Sequence, residues 1–155
     1  EGLIVDTRFN PGGWLHDDLA TFLGGKKYLD FIPRERKIGE EPGNKWRRSS
    51  VVLMSEGNYS DGHMFPVVYK TLGIGKLVGM PVAGTGTAVW WENLQDKELT
   101  FGIPQVGVVD MSGKYYENTN LEPDIKQTLD PKLALKGRDQ QLEKAVEELM
   151  KGIKK

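Results

Sequence analysis

A serine in a turn between two predicted elements is the first residue of this chain that could do chemistry. Ser60 follows the apolar run Val51–Met54, typical of a buried strand, and precedes Asp61–Leu72, where apolar residues have helical spacing. At a helix N-terminus, free N–H groups and the positive end of the helix dipole stabilise negative charge on an attacked carbonyl. Ser60 is therefore a candidate nucleophile, with the N–H of Asp61 as one oxyanion donor. The alternative is that Ser60 only caps the helix.

A glycine turn is the second candidate. Asn10-Pro11-Gly12-Gly13 ends the apolar run 2–8. Because glycine has no side chain, its backbone N–H can approach a ligand closely. The N–H of Gly12 or Gly13 is therefore a candidate for the second oxyanion donor. By itself, the motif also fits an ordinary strand-to-helix turn.

The elements that must hold these two turns alternate between strand and helix. Short apolar runs predict strands, and apolar positions three or four apart predict helices. The predicted strands are 2–8, 51–54, 76–79, 88–91, 99–103 and 106–109. The predicted helices are 14–22, 61–72 and 138–153, and the predicted loops are 26–50 and 84–87. This order indicates an α/β fold with a mainly parallel sheet flanked by helices. Both turns fall at carboxyl ends of strands, where sites form in such sheets.

Two of the predicted helices have a defined apolar face. Both faces are expected to pack on the sheet, because apolar residues repeated at helical spacing form one stripe. For 61–72 the inward residues are Met64, Phe65, Val67, Val68 and Leu72, and for 138–153 they are Leu142, Val146, Leu149 and Ile153.

Composition bounds the class of protein. The 155 residues suit a single domain, and 21 basic against 22 acidic residues give no sign of the basic surplus that usually accompanies nucleic-acid binding. The absence of cysteine excludes disulfides and thiolate chemistry. No apolar run approaches the ~20 residues needed to span a bilayer. Because the chain opens at Glu1, almost inside its first apolar run, we expect residues 1–155 to be one C-terminal catalytic-core domain cut from a longer polypeptide.

Several short motifs, in order along nearly the whole chain, resemble one family. Asp6-Thr7-Arg8-Phe9-Asn10-Pro11-Gly12-Gly13 resembles the D-x-R-x-N-x-G-G segment of the tricorn and C-terminal-processing serine peptidases. Ser60-Asp61-Gly62 with Met64-Phe65 is similar to the tricorn-type nucleophile segment G-S-D-G-x-x-F, and Glu117-Asn118 with Glu122-Pro123-Asp124 to its E-N-x-G-x-x-P-D stretch. The fold that this resemblance implies is the crotonase-like or Clp-like α/β spiral.

The resemblance also implies a role for each site residue. Ser60 is the expected nucleophile, and the amides of Asp61 and of Gly12 or Gly13 form the expected oxyanion hole. Glu117 corresponds to the acidic residue that orients the catalytic histidine. The Asp61 carboxylate is expected to favour basic substrate side chains. The resemblance implies that the base histidine lies N-terminal to this segment. Two histidines are present: His16 could face the site and His63 lies on the same predicted helix as Ser60, but both are expected to be surface or core residues.

The resemblance implies a hydrolase of peptide bonds that acts through an acyl-enzyme, with no metal or organic cofactor. The expected partners are a peptide or unfolded protein substrate, the remainder of the polypeptide and further copies of the chain. The compartment stays open between the cytoplasm, as in tricorn, and the cell envelope. Two other hypotheses remain. One is a non-catalytic peptide-binding module, favoured by Tyr59 where the family often has Gly or Ala. The other is a crotonase-like enzyme acting on acyl thioesters, which needs no nucleophilic serine.

Overall fold

A parallel sheet of four strands forms the core. The computed structural model describes residues 1–153. Its sheet has the spatial order β1 (Leu3–Asp6), β4 (Ser50–Met54), β5 (Lys76–Gly79) and β8 (Ile125–Lys126), and every pair of neighbours is parallel. Since β4 lies inside the sheet and is covered on both faces, all five of its residues are buried. The predicted α/β fold with a mainly parallel sheet is confirmed.

Helices cover the two faces of this sheet. Alternate side chains of β4 point to opposite faces, so Val52 and Met54 pack on one side and Val51 and Leu53 on the other. The first side is covered by α1 (His16–Gly24) and α2 (Asp61–Thr71), and the second by α4 (Gln140–Ile153). A short helix, α3 (Pro131–Ala134), precedes α4. The carboxyl ends of β1 and β4 therefore lead directly into the turns before α1 and α2.

The predicted inward face of α4 is only partly right. Leu149 is buried and Ile153 packs beside it, but Leu142 and Val146 are 40% and 44% exposed. The helix instead turns Gln141, Ala145 and Leu149 toward the sheet. Gln141 fixes this rotation because its amide donates to the carbonyl of Gln127 at 2.8 Å and accepts from Arg8 at 3.1 Å. The buried stripe of α4 thus includes a polar residue whose partners lie outside the helix.

Helix α2 agrees better with its prediction. Phe65 and Val67 are buried and Met64 and Val68 are half-buried, whereas Leu72 lies beyond the helix end and is exposed. Pro66 lies inside the helix and has no N–H to give to the carbonyl of Gly62. The side-chain amide of Asn58 donates to that carbonyl at 2.9 Å, so the lost helical bond is replaced.

Two hairpins lie outside the main sheet. Within the predicted loop, β2 (Leu29–Phe31) pairs with β3 (Gly39–Glu41), and a 3-10 turn lies at Pro33–Glu35. Farther on, β6 (Ala88–Asn93) pairs with β7 (Thr100–Val106). The prediction of separate strands at 99–103 and 106–109 is wrong, because β7 continues through Pro104, which a two-stranded hairpin tolerates at its edge. None of the helices within residues 1–153 has the length and apolar character needed to cross a membrane.

Candidate active site

Ser60 lies in the turn between β4 and α2, directly before the first residue of α2. Its backbone has φ 54° and ψ −119°, a conformation that residues with a side chain rarely adopt. Although Ser60 holds the N-cap position, its hydroxyl makes no capping hydrogen bond to the first turn of α2. Its backbone N–H donates instead to the hydroxyl of Thr85 at 3.1 Å. The hydroxyl is therefore left available, and simple helix capping does not account for this serine.

The glycine turn after β1 packs directly against Ser60. A Cβ added to Gly12 would lie 2.8 Å from the Cβ of Ser60, and Gly12 has φ +121°. Only glycine fits there, both for space and for backbone conformation. The N–H of Gly12 donates to the side chain of Asn10 at 2.8 Å. Gly13, by contrast, has no atom of residues 1–153 within 4 Å of an added Cβ, so the side-chain position of this glycine is open.

Asn10 and Tyr59 join the two turns. The backbone N–H of Tyr59 donates to the carbonyl of Asn10 at 2.9 Å. A Cβ on Gly62 would lie 2.4 Å from that same carbonyl oxygen, so Gly62 is required for this approach. The side chain of Tyr59 is exposed. A bulky residue before Ser60 is therefore accommodated by pointing its ring into solvent.

A buried polar network beneath the turn was not predicted from the sequence. Thr7, Ser55 and Asn58 are all buried. The Asn58 amide donates to Thr7 Oγ1 at 2.9 Å, and its carbonyl oxygen accepts from the N–H and the hydroxyl of Ser55, each at 3.1 Å. Thr7 in turn donates to the carbonyl of Leu53 at 2.7 Å. The network ties the ends of β1 and β4 together; polar residues right after a buried strand were its only sequence signal.

Asp61 is held by the start of α1. Its Oδ2 accepts from the backbone N–H of Leu15 at 2.9 Å, and its Oδ1 is bonded to Nδ1 of His16. The side chains of His16 and Asp61 are only 22% and 12% exposed. As the first residue of α2, Asp61 keeps a backbone N–H that has no acceptor within residues 1–153. This N–H points out of the helix start, beside Ser60.

Glu117 is connected to the surroundings of Ser60 through the loop that contains Thr85 and Thr87. Its Oε2 accepts from the N–H of Thr87 at 2.9 Å and from the hydroxyl of Thr87 at 2.6 Å. The loop that contains Thr85 and Thr87 therefore connects Ser60 on one side with Glu117 on the other. Ser60 and Glu117 thus bind the same loop, through Thr85 and Thr87 respectively.

His63 is completely buried on α2. Within residues 1–153, neither of its ring nitrogens has a hydrogen-bond partner. The ring of Tyr116 meets it edge-on, with centroids 6.4 Å apart. Burial lowers the pKa of His63 below its ordinary value, and the negative charge of Glu117 opposes that shift only in part. His63 is therefore a neutral residue of the protein interior near pH 7.

One pocket of about 240 Å³ opens beside the serine. Gly13, Ser60, Asp61 and Thr87 contribute to its lining together with His16, Trp14, Met64, Gly86, Ala88, Val106 and Val108. Three of the predicted site residues thus meet around one cavity, Gly12 packs behind Ser60, and Glu117 reaches the cavity wall through Thr87. Across residues 1–153, no cluster of three or more His, Asp or Glu side chains is placed to hold a metal ion.

Comparison with known proteins shows the family of this chain. The sequence model of peptidase family S41 matches residues 1–127. The tricorn protease of Thermoplasma acidophilum is 28% identical over 99% of this chain and 14% of its own length. A putative tricorn-like protease C-terminal subunit of Sulfurisphaera tokodaii is 30% identical over 99% of this chain and 18% of its own length. The chain thus spans less than a fifth of the curated relatives it matches.

Comparison with solved structures also relates this chain to the tricorn protease. The crystal structure of the tricorn protease superposes on this chain with a TM-score of 0.85, at 27% identity, over 99% of this chain and 15% of the other. This match confirms the fold that the motifs implied, since the superposition extends over nearly the full length of this chain. The family match covers both turns and the segment of Glu117. The chain therefore belongs to peptidase family S41, a family of serine peptidases.

Proposed function

We propose that this chain carries the nucleophile of a serine peptidase that cleaves peptide bonds through an acyl-enzyme on Ser60. The main support is the backbone of Ser60, which is held in a rarely occupied conformation with its hydroxyl free. Strained strand-to-helix turns of this kind expose the nucleophile in other hydrolases. The conformation is maintained by Gly12 behind it and by the buried Asn58 network below it.

In the proposed reaction, Oγ of Ser60 adds to the carbonyl carbon of the peptide bond while its proton passes to a base. The amides of Asp61 and Gly13 donate to the oxyanion. Gly12 is the less suitable second donor, because its N–H is already given to Asn10. The C–N bond then breaks, and the amine leaves with the proton. Water finally attacks the ester on Ser60, the base takes its proton and returns one to Oγ, and the acid product leaves.

The proposed base is a histidine outside residues 1–155. Nδ1 of His16 is hydrogen-bonded to Asp61, and His63 is buried in the interior. The relatives extend far beyond the segment they share with this chain, so further polypeptide is available in proteins of this kind. Glu117 is proposed to orient that histidine from across the Thr87 loop. The proposed substrate is an extended peptide or an unfolded chain end, and assembly into further copies is proposed by analogy with the relatives.

Covalent labelling tests this proposal. A fluorophosphonate is added to this chain and to a version extended at the N-terminus with its own upstream sequence, and the modified peptide is mapped by mass spectrometry. We expect labelling at Ser60 in the extended version, its loss in Ser60→Ala, and no change in Ser49→Ala, which alters an exposed serine. A triad without its base keeps only residual reactivity, so the shorter chain should label far more slowly.

Two results would overturn the proposal. Folded proteins that bind peptides without labelling in either form would identify a non-catalytic binding module. Hydrolysis of an acyl thioester that survives Ser60→Ala would identify a crotonase-like enzyme, because that chemistry uses the oxyanion hole without a nucleophilic serine.

A further inference from the structure

We propose that His16 decides which side chain the pocket beside Ser60 accepts. By occupying the carboxylate of Asp61, His16 makes the pocket select an apolar side chain instead of the basic one that the family resemblance implies. The inference rests on the proposed function, because it takes this pocket to be the place of the substrate side chain next to the cleaved bond.

The charge needed to attract a basic side chain is already engaged. Asp61 is the only carboxylate that lines the pocket among residues 1–153. One of its oxygens accepts from the N–H of Leu15 and the other is bonded to His16. Only 12% of its side chain is exposed. An ammonium or guanidinium group would therefore compete with the imidazole and the Leu15 amide for a carboxylate that is mostly covered, and a cation that is poorly paired in the pocket is disfavoured.

The contact between His16 and Asp61 is part of how two helices meet. Leu15 and His16 are consecutive residues at the start of α1, and α1 has no capping bond from its own N-cap side chain. The carboxylate of Asp61 takes that role from the neighbouring helix, and its negative charge lies near the N-terminal ends of both helices, where it is stabilised. Trp14 meets the His16 ring edge-on at a centroid distance of 6.1 Å. The imidazole is therefore held from two sides.

The rest of the pocket is suited to an apolar group. Its walls contain the side chains of Trp14, Met64, Ala88, Val106 and Val108. A cavity of about 240 Å³ is large enough for an unbranched or branched aliphatic chain. Burying such a chain releases water from these surfaces, which is the main source of affinity in pockets of this kind. Wall chemistry and the engaged carboxylate thus point to the same class of side chain.

The inference is tested with two peptides that differ only in the charged end of one side chain. The probes are acetyl-Ala-Ala-norleucine amide and acetyl-Ala-Ala-lysine amide, and binding to this chain is followed by NMR titration. We expect the norleucine peptide to bind about tenfold more tightly than the lysine peptide. In His16→Ala the ratio should fall by about tenfold, because Asp61 is then free to pair with lysine. Asp17→Asn is the control: it removes an exposed carboxylate from the same helix and should leave the ratio unchanged.

A second variant separates the loss of the bond between His16 and Asp61 from a change of pocket shape. His16→Phe keeps an aromatic ring but has no nitrogen to give to Asp61, so it should also shift the ratio toward lysine. Equal binding of the two peptides by the unsubstituted chain, no detectable binding of either peptide, or a ratio in both His16 variants that equals that of the unsubstituted chain would overturn the inference.

These outcomes are separate from the proposed peptidase activity, because binding is measured without turnover. If the ratio responds to His16 but Ser60 never labels, the peptidase proposal fails and the pocket assignment stands. If Ser60 labels and the ratio ignores His16, only the pocket assignment fails. Loss of Ser60 labelling in folded His16→Ala, with the ratio unchanged, would make His16 a base and would also overturn the inference.

Discussion

The turn that carries Ser60 and the hairpin of β6 and β7 are built in opposite ways. The turn is supported by buried polar residues, a glycine in van der Waals contact with the serine, and neighbours from β1, β4 and α2. Every residue of β6 is exposed, including Trp90 and Trp91, and nearly all of β7 is exposed as well. The hairpin contributes to the site at its base, where Ala88 and Val106 line the pocket.

The turn and the hairpin should therefore respond differently to substitution. The turn is over-determined, because several hydrogen bonds and a close backbone approach must all be satisfied for Ser60 to keep its conformation. The hairpin is held mainly by its own ladder, so its side chains are free to contribute to the pocket and to other surfaces. Substitutions in the turn should therefore affect folding and reactivity, and substitutions in the hairpin should leave the free energy of unfolding nearly unchanged.

The largest effect is expected for Gly12→Ala. The new methyl group would lie 2.8 Å from Ser60 Cβ, so Ser60 must move, and a displacement of this size costs on the order of 100-fold in rate. The measurement is the rate of fluorophosphonate labelling in the extended version. Gly113→Ala is the control, since Gly113 also has positive φ but open space around it. Equal labelling rates for the two variants would contradict the packing argument.

Asn58→Ala should destabilise the fold by about 3 kcal/mol, because it leaves several buried donors and acceptors without partners. Urea unfolding, followed by circular dichroism, measures the free energy. Asn93→Ala removes an exposed asparagine from β6 and should change this value by less than about 0.5 kcal/mol. Similar losses for the two variants would remove the distinction between turn and hairpin.

The buried His63 predicts a pH dependence. Because burial lowers its pKa in the folded state, the unfolded chain binds a proton first as pH falls. Stability is then unaffected above the unfolded value of about 6.5 and falls below it, by at most about 1.4 kcal/mol per pH unit. Glu40, with a pKa of about 2 against an ordinary 4.5, acts only at lower pH. In His63→Leu, the free energy of unfolding measured with urea should depend less on pH between pH 7 and 5. An unchanged pH dependence would refute the assignment of this effect to His63.

The smallest effect is expected for Trp90→Ala. Its side chain is exposed, and its indole N–H bonds only to nearby Glu92 at 2.7 Å, so the free energy of unfolding should change by less than about 0.5 kcal/mol. The matched core variant Leu53→Ala should cost about 2–5 kcal/mol. A cost above about 2 kcal/mol for Trp90→Ala would show that the hairpin is integral to the folded domain.

Local patterns in the sequence predicted much of the fold. Each of the three longest strands of the sheet was placed within a few residues, because a short apolar run between turn residues has few other solutions. The same logic placed α2 and the turn at Ser60. It failed for β7, because one strand spans a region where two strands were expected. It also failed for the face of α4, where the buried Gln141 is hydrogen-bonded to Arg8, a residue far away in the sequence.

The sequence by itself determined the parallel α/β sheet and the two glycine-rich turns, and it indicated Ser60 as a candidate nucleophile, since periodicity, glycine and helix starts are properties of neighbouring residues. Only the tertiary structure decided that Asn58 supports the turn, that His16 holds Asp61, and that the buried His63 ring has no hydrogen-bond partner within residues 1–153. His16 and Asp61 are 45 positions apart. Such pairings depend on how strands and helices meet in space, and no local pattern of residues specifies them.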